Sequence, residues 1–263
     1  MSEGDTQQLP TRLLFGIPIH ALTMTEALER IDHAITSRGR LQIGVVNAAK
    51  IVNMHRDKAL QEDVLSSDLI VADGMSVVWA SRLLGQPLPE RVAGIDLMLR
   101  MLERGNQRGY RVYCLGATDE VLRKTTEQIA ADYPNVIIAG QRNGYFSVDE
   151  ERAVADDIKA ARPDILFVAM TSPKKEQFLA RWSEELAIPV CHGVGGSFDV
   201  VAGKVERAPE RWQALGLEWL YRVKQEPRRL WKRYLVTNII FCGMVCSEFL
   251  KHLRPRIRNA LTR

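Results

Sequence analysis

The chain has 263 residues, 46% hydrophobic and 26% charged, with four cysteines and a net charge of +4. That balance excludes disordered, collagen-like and disulfide-stapled chains and predicts a globular core with an extension. The charge is uneven: Arg222 to Arg263 holds 11 basic and 2 acidic residues, +9, while the remainder carries −5.

Residues 1–10 are polar and read as a frayed start without a cleavable signal pattern. A strand, LLFGIPIH, and a helix from Thr25 to Ser37 open the folded part. The strand Leu41–Asn47 leads into a helix over Ala48–Ala59. The apolar run Leu69–Ala72 stops at Asp73 and Gly74 and turns into a helix over Ser76–Leu84. Helices over Ile95–Gln107, Glu120–Asp132, Asp149–Ala161 and Lys174–Leu186 then alternate with strands over Arg111–Ala117, Val136–Gly140, Ile165–Met170 and Ile188–Gly195. This alternation predicts an α/β, Rossmann-like, doubly wound and mostly parallel sheet over residues 11–208, with helices on both faces. The continuous apolar strands fit burial on both sides.

From residue 209 to 263 the pattern becomes helical, broken near Pro209, Gly216 and Pro227, and forms a basic C-terminal appendage. Tyr234–Cys246 is apolar apart from Thr237 and Asn238, shorter than the ~20 residues a bilayer span requires. Its basic flanks, with Trp231 and Tyr234, predict a helix lying in the membrane interface; a docked core helix or a dimer contact is the alternative. A basic tail seeks phosphate on an anionic membrane, a nucleic acid or a diphosphate substrate. The chain lacks the interleaved aromatics of a base-stacking surface, so nucleic acid is not expected.

In a doubly wound sheet, ligands bind beyond the carboxyl ends of the strands. The polar residues there are Asn47, Asp73 with Gly74, Gly116, Ser172, and Gly195 with Gly196. Asp73 reads equally as the cap of the following helix or as a catalytic carboxylate. The glycine cluster His192–Gly203 permits close backbone approach to a ligand, although it is neither GxxxxGK[ST] nor GxGxxG, which argues against a dinucleotide oxidoreductase. No DxD triplet offers a divalent metal handle, so a departing diphosphate would need organic cations such as Arg91, Arg222, Arg228, Arg229 and Arg233. The five histidines have no metal-ligand spacing, and His192 reads first as a core histidine.

Several segments together resemble the WecG/TagA/CpsF glycosyltransferase family: VVNAAKIV, SDLIVADGMSVVWASRLLG, ERVAGIDLM, AMTSPKKEQFLARW, GVGGSFDVVAGKVERAPERWQALGLEWLYR and QEPRR. Within it, the length and tail are most similar to the xanthan-type β-1,4-glucosyltransferases. The resemblance implies an inverting, metal-independent transfer of a sugar, with glucose expected, from a UDP-sugar to a polyprenyl-diphosphate-linked sugar. Transfer of N-acetylmannosamine or its uronic acid, or a non-enzymatic membrane-associated nucleotide-binding protein, is the alternative. The implied setting is the cytoplasmic face of the inner membrane, with peripheral attachment, no cofactor and self-association left open. By the same resemblance Asp73 is the base, and Arg222 and Arg229 are tail arginines that reach the active site. Asn47, Gly74, Arg91, Gly116, Ser172, Lys175, Gly195 and Gly196 contact substrate. Two positions depart from part of the family: Val45 stands where some members carry a threonine, and Lys175 where many have the glutamine of SPKQE. The first removes a polar donor contact. The second implies an altered sugar preference or another cation near the phosphates.

Overall fold

The described residues open on a hairpin where a single strand was expected, and the frayed start expected before it lies almost wholly outside them. β1 (Thr11–Leu14) and β2 (Ile17–His20) pair antiparallel as a two-stranded sheet of their own. Phe15 (φ 54°) and Gly16 (φ 76°) both adopt the left-handed conformation, the two-residue turn that matches strand twist. The computed structural model describes the backbone of residues 10–261, and the side chains of 10–251 except Arg229.

α1 (Met24–Ser37) begins on a capping box between Thr23 and Glu26. β3 (Leu41–Val46) runs into α2 (Ala48–Arg56), and α3 (Lys58–Leu65) follows after a break. The expected single helix is interrupted because Asp57 leaves helical backbone and accepts the Leu60 N–H at 3.1 Å, capping α3. Then come β4 (Leu69–Ala72), α4 (Met75–Leu83), α5 (Gly94–Arg108), β5 (Arg111–Gly116), α6 (Asp119–Asp132) and β6 (Ile137–Arg142). α7 (Glu151–Ala161), β7 (Ile165–Ala169), α8 (Lys174–Leu186), β8 (Val190–Gly193) and α9 (Ser197–Val201) complete the body. The tail holds α10 (Glu210–Ala214), α11 (Glu218–Gln225) and α12 (Pro227–Leu261).

Six strands form one parallel sheet in the order β4-β3-β8-β7-β5-β6. Strand periodicity divides their side chains between two faces. Leu69 and Val71 pack with α1, α5 and α6, whereas Ile70 and Ala72 pack with the hairpin, α2, α3 and α4. Leu166 and Val168 meet α7 and α8 on that second face.

α12 is one helix of 35 residues, roughly 50 Å long. It docks on the body through Leu230, Thr237 and Phe241, whose ring meets Phe15 edge-on at 5.3 Å. Its other faces remain open: Trp231, Leu235, Ile239 and Leu250 are all more than half exposed. The segment Leu230–Lys251, 22 residues of mean hydropathy 1.3, is long and apolar enough to cross a membrane. This exceeds the apolar run of Tyr234–Cys246 visible in the sequence, because the helix continues through both flanks.

Candidate active site

The carboxyl ends of β3 and β4 place Asn47 and Asp73 side by side. Asn47 caps α2, its Oδ1 accepting the Lys50 N–H at 3.0 Å, and its Nδ2 lies 3.4 Å from Asp73 Oδ2. Asp73 does not cap the helix that follows it; Gly74 occupies that position without a side-chain bond. Instead Asp73 Oδ1 accepts the N–H of Gly94 at 2.8 Å. Gly94 is the first residue of α5, and Ala93 before it has no capping side chain. The carboxylate therefore satisfies an orphan donor of a helix 21 residues away and lies at the positive end of its dipole. Oδ1 is anchored, and Oδ2 is held only loosely by Asn47. Gly74 is close by: a Cβ there would stand 3.3 Å from that of Asn47.

A second layer of charge ties the tail to this group. Arg91 bonds Glu218 of α11 and reaches Asp96, in the first turn of α5, at 3.4 Å. Arg207 bonds Asp96 from the other side and donates to Gln213 at 3.0 Å. Arg222 is exposed and lines a narrow crevice with Ile95, Glu206, Arg207 and Glu218. Arg229 lies on α12 with its side chain outside the described residues. The turn at Gly216 (φ 64°) sits directly on α4, where an added Cβ would be 2.7 Å from the Trp79 ring and 2.9 Å from Met75 Cβ. Gly216→Ala is therefore expected to loosen the appendage by about 1–3 kcal/mol through strain and overpacking. Faster tryptic cleavage between Arg211 and Arg222, with little change in the body's unfolding, is the result that checks it.

The remaining expected residues are dispersed along the same edge. Gly116 ends β5 at φ 129°, and a Cβ there would lie 2.4 Å from the Ala169 carbonyl oxygen, so only glycine fits. Ser172 is exposed. Gly195 turns at φ 54° and Gly196 precedes α9. Lys175 is not presented to the cleft: it is buried beneath Gly193, with its ammonium 2.6 Å from Glu176, which also takes Lys50.

His192 ends up more central than the sequence suggests. It is fully buried on β8, its Nε2 lies 3.0 Å from the Gly94 carbonyl, and its Nδ1 makes no hydrogen bond of ordinary geometry. Burial pulls its pKa down to about 4, from an ordinary 6.5. Between those values the unfolded chain takes up a proton that the folded chain refuses. The stability present above pH 6.5 is thus lost as pH falls toward 4, by about 3 kcal/mol. Urea midpoints between pH 7 and 4 should show that slope, and His192→Phe should flatten it.

A concavity of about 640 Å³ opens at the opposite, amino end of the strands, among Arg38, Arg111, Lys159, Arg162 and Pro189. There α1, α7 and α8 each end on a residue of positive φ, and Arg111 donates to the carbonyls of Ala161 and Arg162. Arg111 serves the C-terminus of α7 and Arg38 pairs with Asp164, and three helix C-termini with their negative dipole ends meet here, a setting that disfavours an anionic ligand. Geometry and fold both point to the Asp73 end.

The sequence profile of the glycosyl transferase WecG/TagA/CpsF family matches residues 12–255. An N-acetylglucosaminyldiphosphoundecaprenol N-acetyl-β-D-mannosaminyltransferase of Bacillus spizizenii is 43% identical over 175 residues, 66% of this chain and 67% of that one. A protein of the same name from Bacillus subtilis is 34% identical over 228 residues, 86% and 88% of the two chains. These relatives overturn the expectation of a xanthan-type, UDP-glucose-dependent glucosyltransferase, since both are named for N-acetylmannosamine transfer. That expectation rested on the length of the chain and its tail.

Proposed function

The chain belongs to the WecG/TagA/CpsF glycosyl transferase family, and from that premise we propose that it transfers N-acetyl-D-mannosamine from a UDP-activated donor to an N-acetylglucosaminyl diphosphate carried on a polyprenol. The observation that carries the chemistry is the two-sided hold on Asp73. One oxygen is fixed on the Gly94 N–H, and the other is left available beside Asn47.

In this mechanism Asp73 Oδ2 takes the proton of the acceptor hydroxyl as that oxygen attacks the donor's anomeric carbon. The new carbon–oxygen bond forms as the bond to the β-phosphate breaks, and UDP departs with the electron pair, inverting the centre. Arg222 and Arg229 neutralise the departing diphosphate, while Arg91 and Asn47 orient donor and acceptor. No metal is required for these roles. The exposed apolar faces of α12 support a membrane seat for the tail on the cytoplasmic side, where a nucleotide-sugar and a lipid-borne acceptor meet.

The test supplies purified full-length protein in anionic vesicles with an N-acetylglucosaminyl diphosphate lipid and either UDP-N-acetylmannosamine or UDP-glucose. The expected result is a disaccharide lipid and an equal amount of UDP from the first donor. Transfer from UDP-glucose alone would overturn the proposal.

A further inference from the structure

We infer that His192 is a positioning residue for this transfer: through Gly94 it fixes the peptide that holds the Asp73 carboxylate. The inference rests on the proposal that Asp73 is the base. The connection is continuous and short. His192 Nε2 lies 3.0 Å from the Gly94 carbonyl oxygen, and the Gly94 N–H donates to Asp73 Oδ1 at 2.8 Å.

A carbonyl accepts only from a donor, so the ring proton resides on Nε2. Nδ1 is then fully buried and makes no hydrogen bond of ordinary geometry, with the Ile43 backbone the other polar neighbour of the ring. That is an expensive arrangement for the middle of a parallel sheet, where an aliphatic side chain would pack without desolvating a ring nitrogen. β8 is otherwise apolar at Val190 and Cys191, and Phe167 of β7 packs edge-on to the imidazole at 6.4 Å between centroids. Burial keeps the ring neutral, so it acts as a fixed hydrogen-bond donor rather than a charge.

The geometry explains why such a donor is needed. α5 starts at Gly94, with Ala93 offering no cap, and its first orphan N–H is taken by Asp73, so only a second tether on the carbonyl side fixes the orientation of that peptide. Gly94 is buried, yet it has no side chain of its own to lock the turn. His192 takes the second lone pair of its carbonyl and so pins the turn to β8. The carboxylate is thereby held from β4 through its own backbone and from β8 through Gly94, across two strands flanking β3. A shift of about 1 Å in a reacting group is worth roughly 100-fold in rate, which sets the scale of the effect.

The experiment compares His192→Phe, which keeps a ring but removes the donor, with His192→Gln, whose Nε2 can replace it. kcat, both KM values and amide exchange over Val92–Asp96 are measured for each. We expect His192→Phe to lower kcat about 10–100-fold with both KM values within twofold, to accelerate exchange in that segment, and to be largely rescued by glutamine. In an Asp73→Asn background the phenylalanine should add less than a twofold loss. If His192→Phe fails to fold, His192→Asn, with an amide too short for Gly94 in a still polar site, should give the same loss and the same exchange. Unchanged exchange at Val92–Asp96, or wild-type kcat in a folded variant without the donor, overturns the role of His192. If instead Asp73→Asn turns over at the wild-type rate, the base assignment fails by itself, and the exchange measurement still decides whether His192 holds Gly94.

Discussion

Asp73→Asn is expected to reduce turnover by about 10²–10⁴-fold, the usual contribution of a positioned general base, while leaving the fold and donor binding in place. The expectation is asymmetric by atom. The asparagine carbonyl can still accept from the Gly94 N–H, so the α5 start keeps its partner and the stability change stays within about 1 kcal/mol. What disappears is the second oxygen: an amide nitrogen there cannot take a proton from an acceptor hydroxyl, and it faces the Asn47 Nδ2, another donor. Asp73→Ala removes both functions and should cost about 1–2 kcal/mol of stability in addition to the rate. Steady-state turnover with calorimetric donor binding and a urea titration separates the two. A wild-type rate in folded Asp73→Asn would remove Asp73 from the mechanism.

Glu176→Gln should be the most damaging substitution for stability, costing about 3–5 kcal/mol, because it strands two buried ammonium groups. Lys50 and Lys175 both bond Glu176, and all three side chains are less than a tenth exposed. Burial, then the neighbouring Lys175, draws Lys50 down to about 8, while Glu176 opposes that fall. Burial pushes the Glu176 carboxyl up, but the two ammonium groups prevail and hold it below the usual range. Without the carboxylate, two like charges face each other in a dry site across α2 and α8. For a chain of this size the cost corresponds to a fall in Tm of about 10 °C. The double variant Lys50→Met, Glu176→Gln should recover part of it, since one of the two stranded ammonium groups is removed and the repulsion between them with it, although that of Lys175 remains. A Tm for Glu176→Gln within 2 °C of wild type would show that the cluster is solvated.

The sheet was legible because fully buried strands announce themselves as apolar runs. Leu69–Ala72 and the helix Lys174–Leu186 occupy the expected residues. The hairpin was not, since Phe15 at positive φ is atypical and only Gly16 marks the turn. The break at Asp57 was hidden by unbroken helical propensity on both sides. Asn47 and Asp73 were legible as strand-end residues, but their partners were not. Gly94 falls just before the helix expected from Ile95, and the bonds of Arg91 to Glu218 and of Lys50 to Glu176 join positions more than 120 residues apart. Only topology brings such pairs together. The sugar was least legible of all, because the expectation of glucose rested on the chain's length and tail rather than on any residue set against a donor.

The strand order carries a consequence for synthesis. β3 lies one strand in from the edge of the sheet, and its partner on the inner side, β8, pairs Val190 with Leu41 and so leaves the ribosome roughly 150 residues later. At bacterial-type elongation rates of about 5–20 residues per second, the nascent β3–β4 pair waits on the order of ten seconds with an open hydrogen-bonding edge. The last strand to emerge is thus the one that closes the middle, and the nascent sheet is most vulnerable to misassociation until β8 has been made.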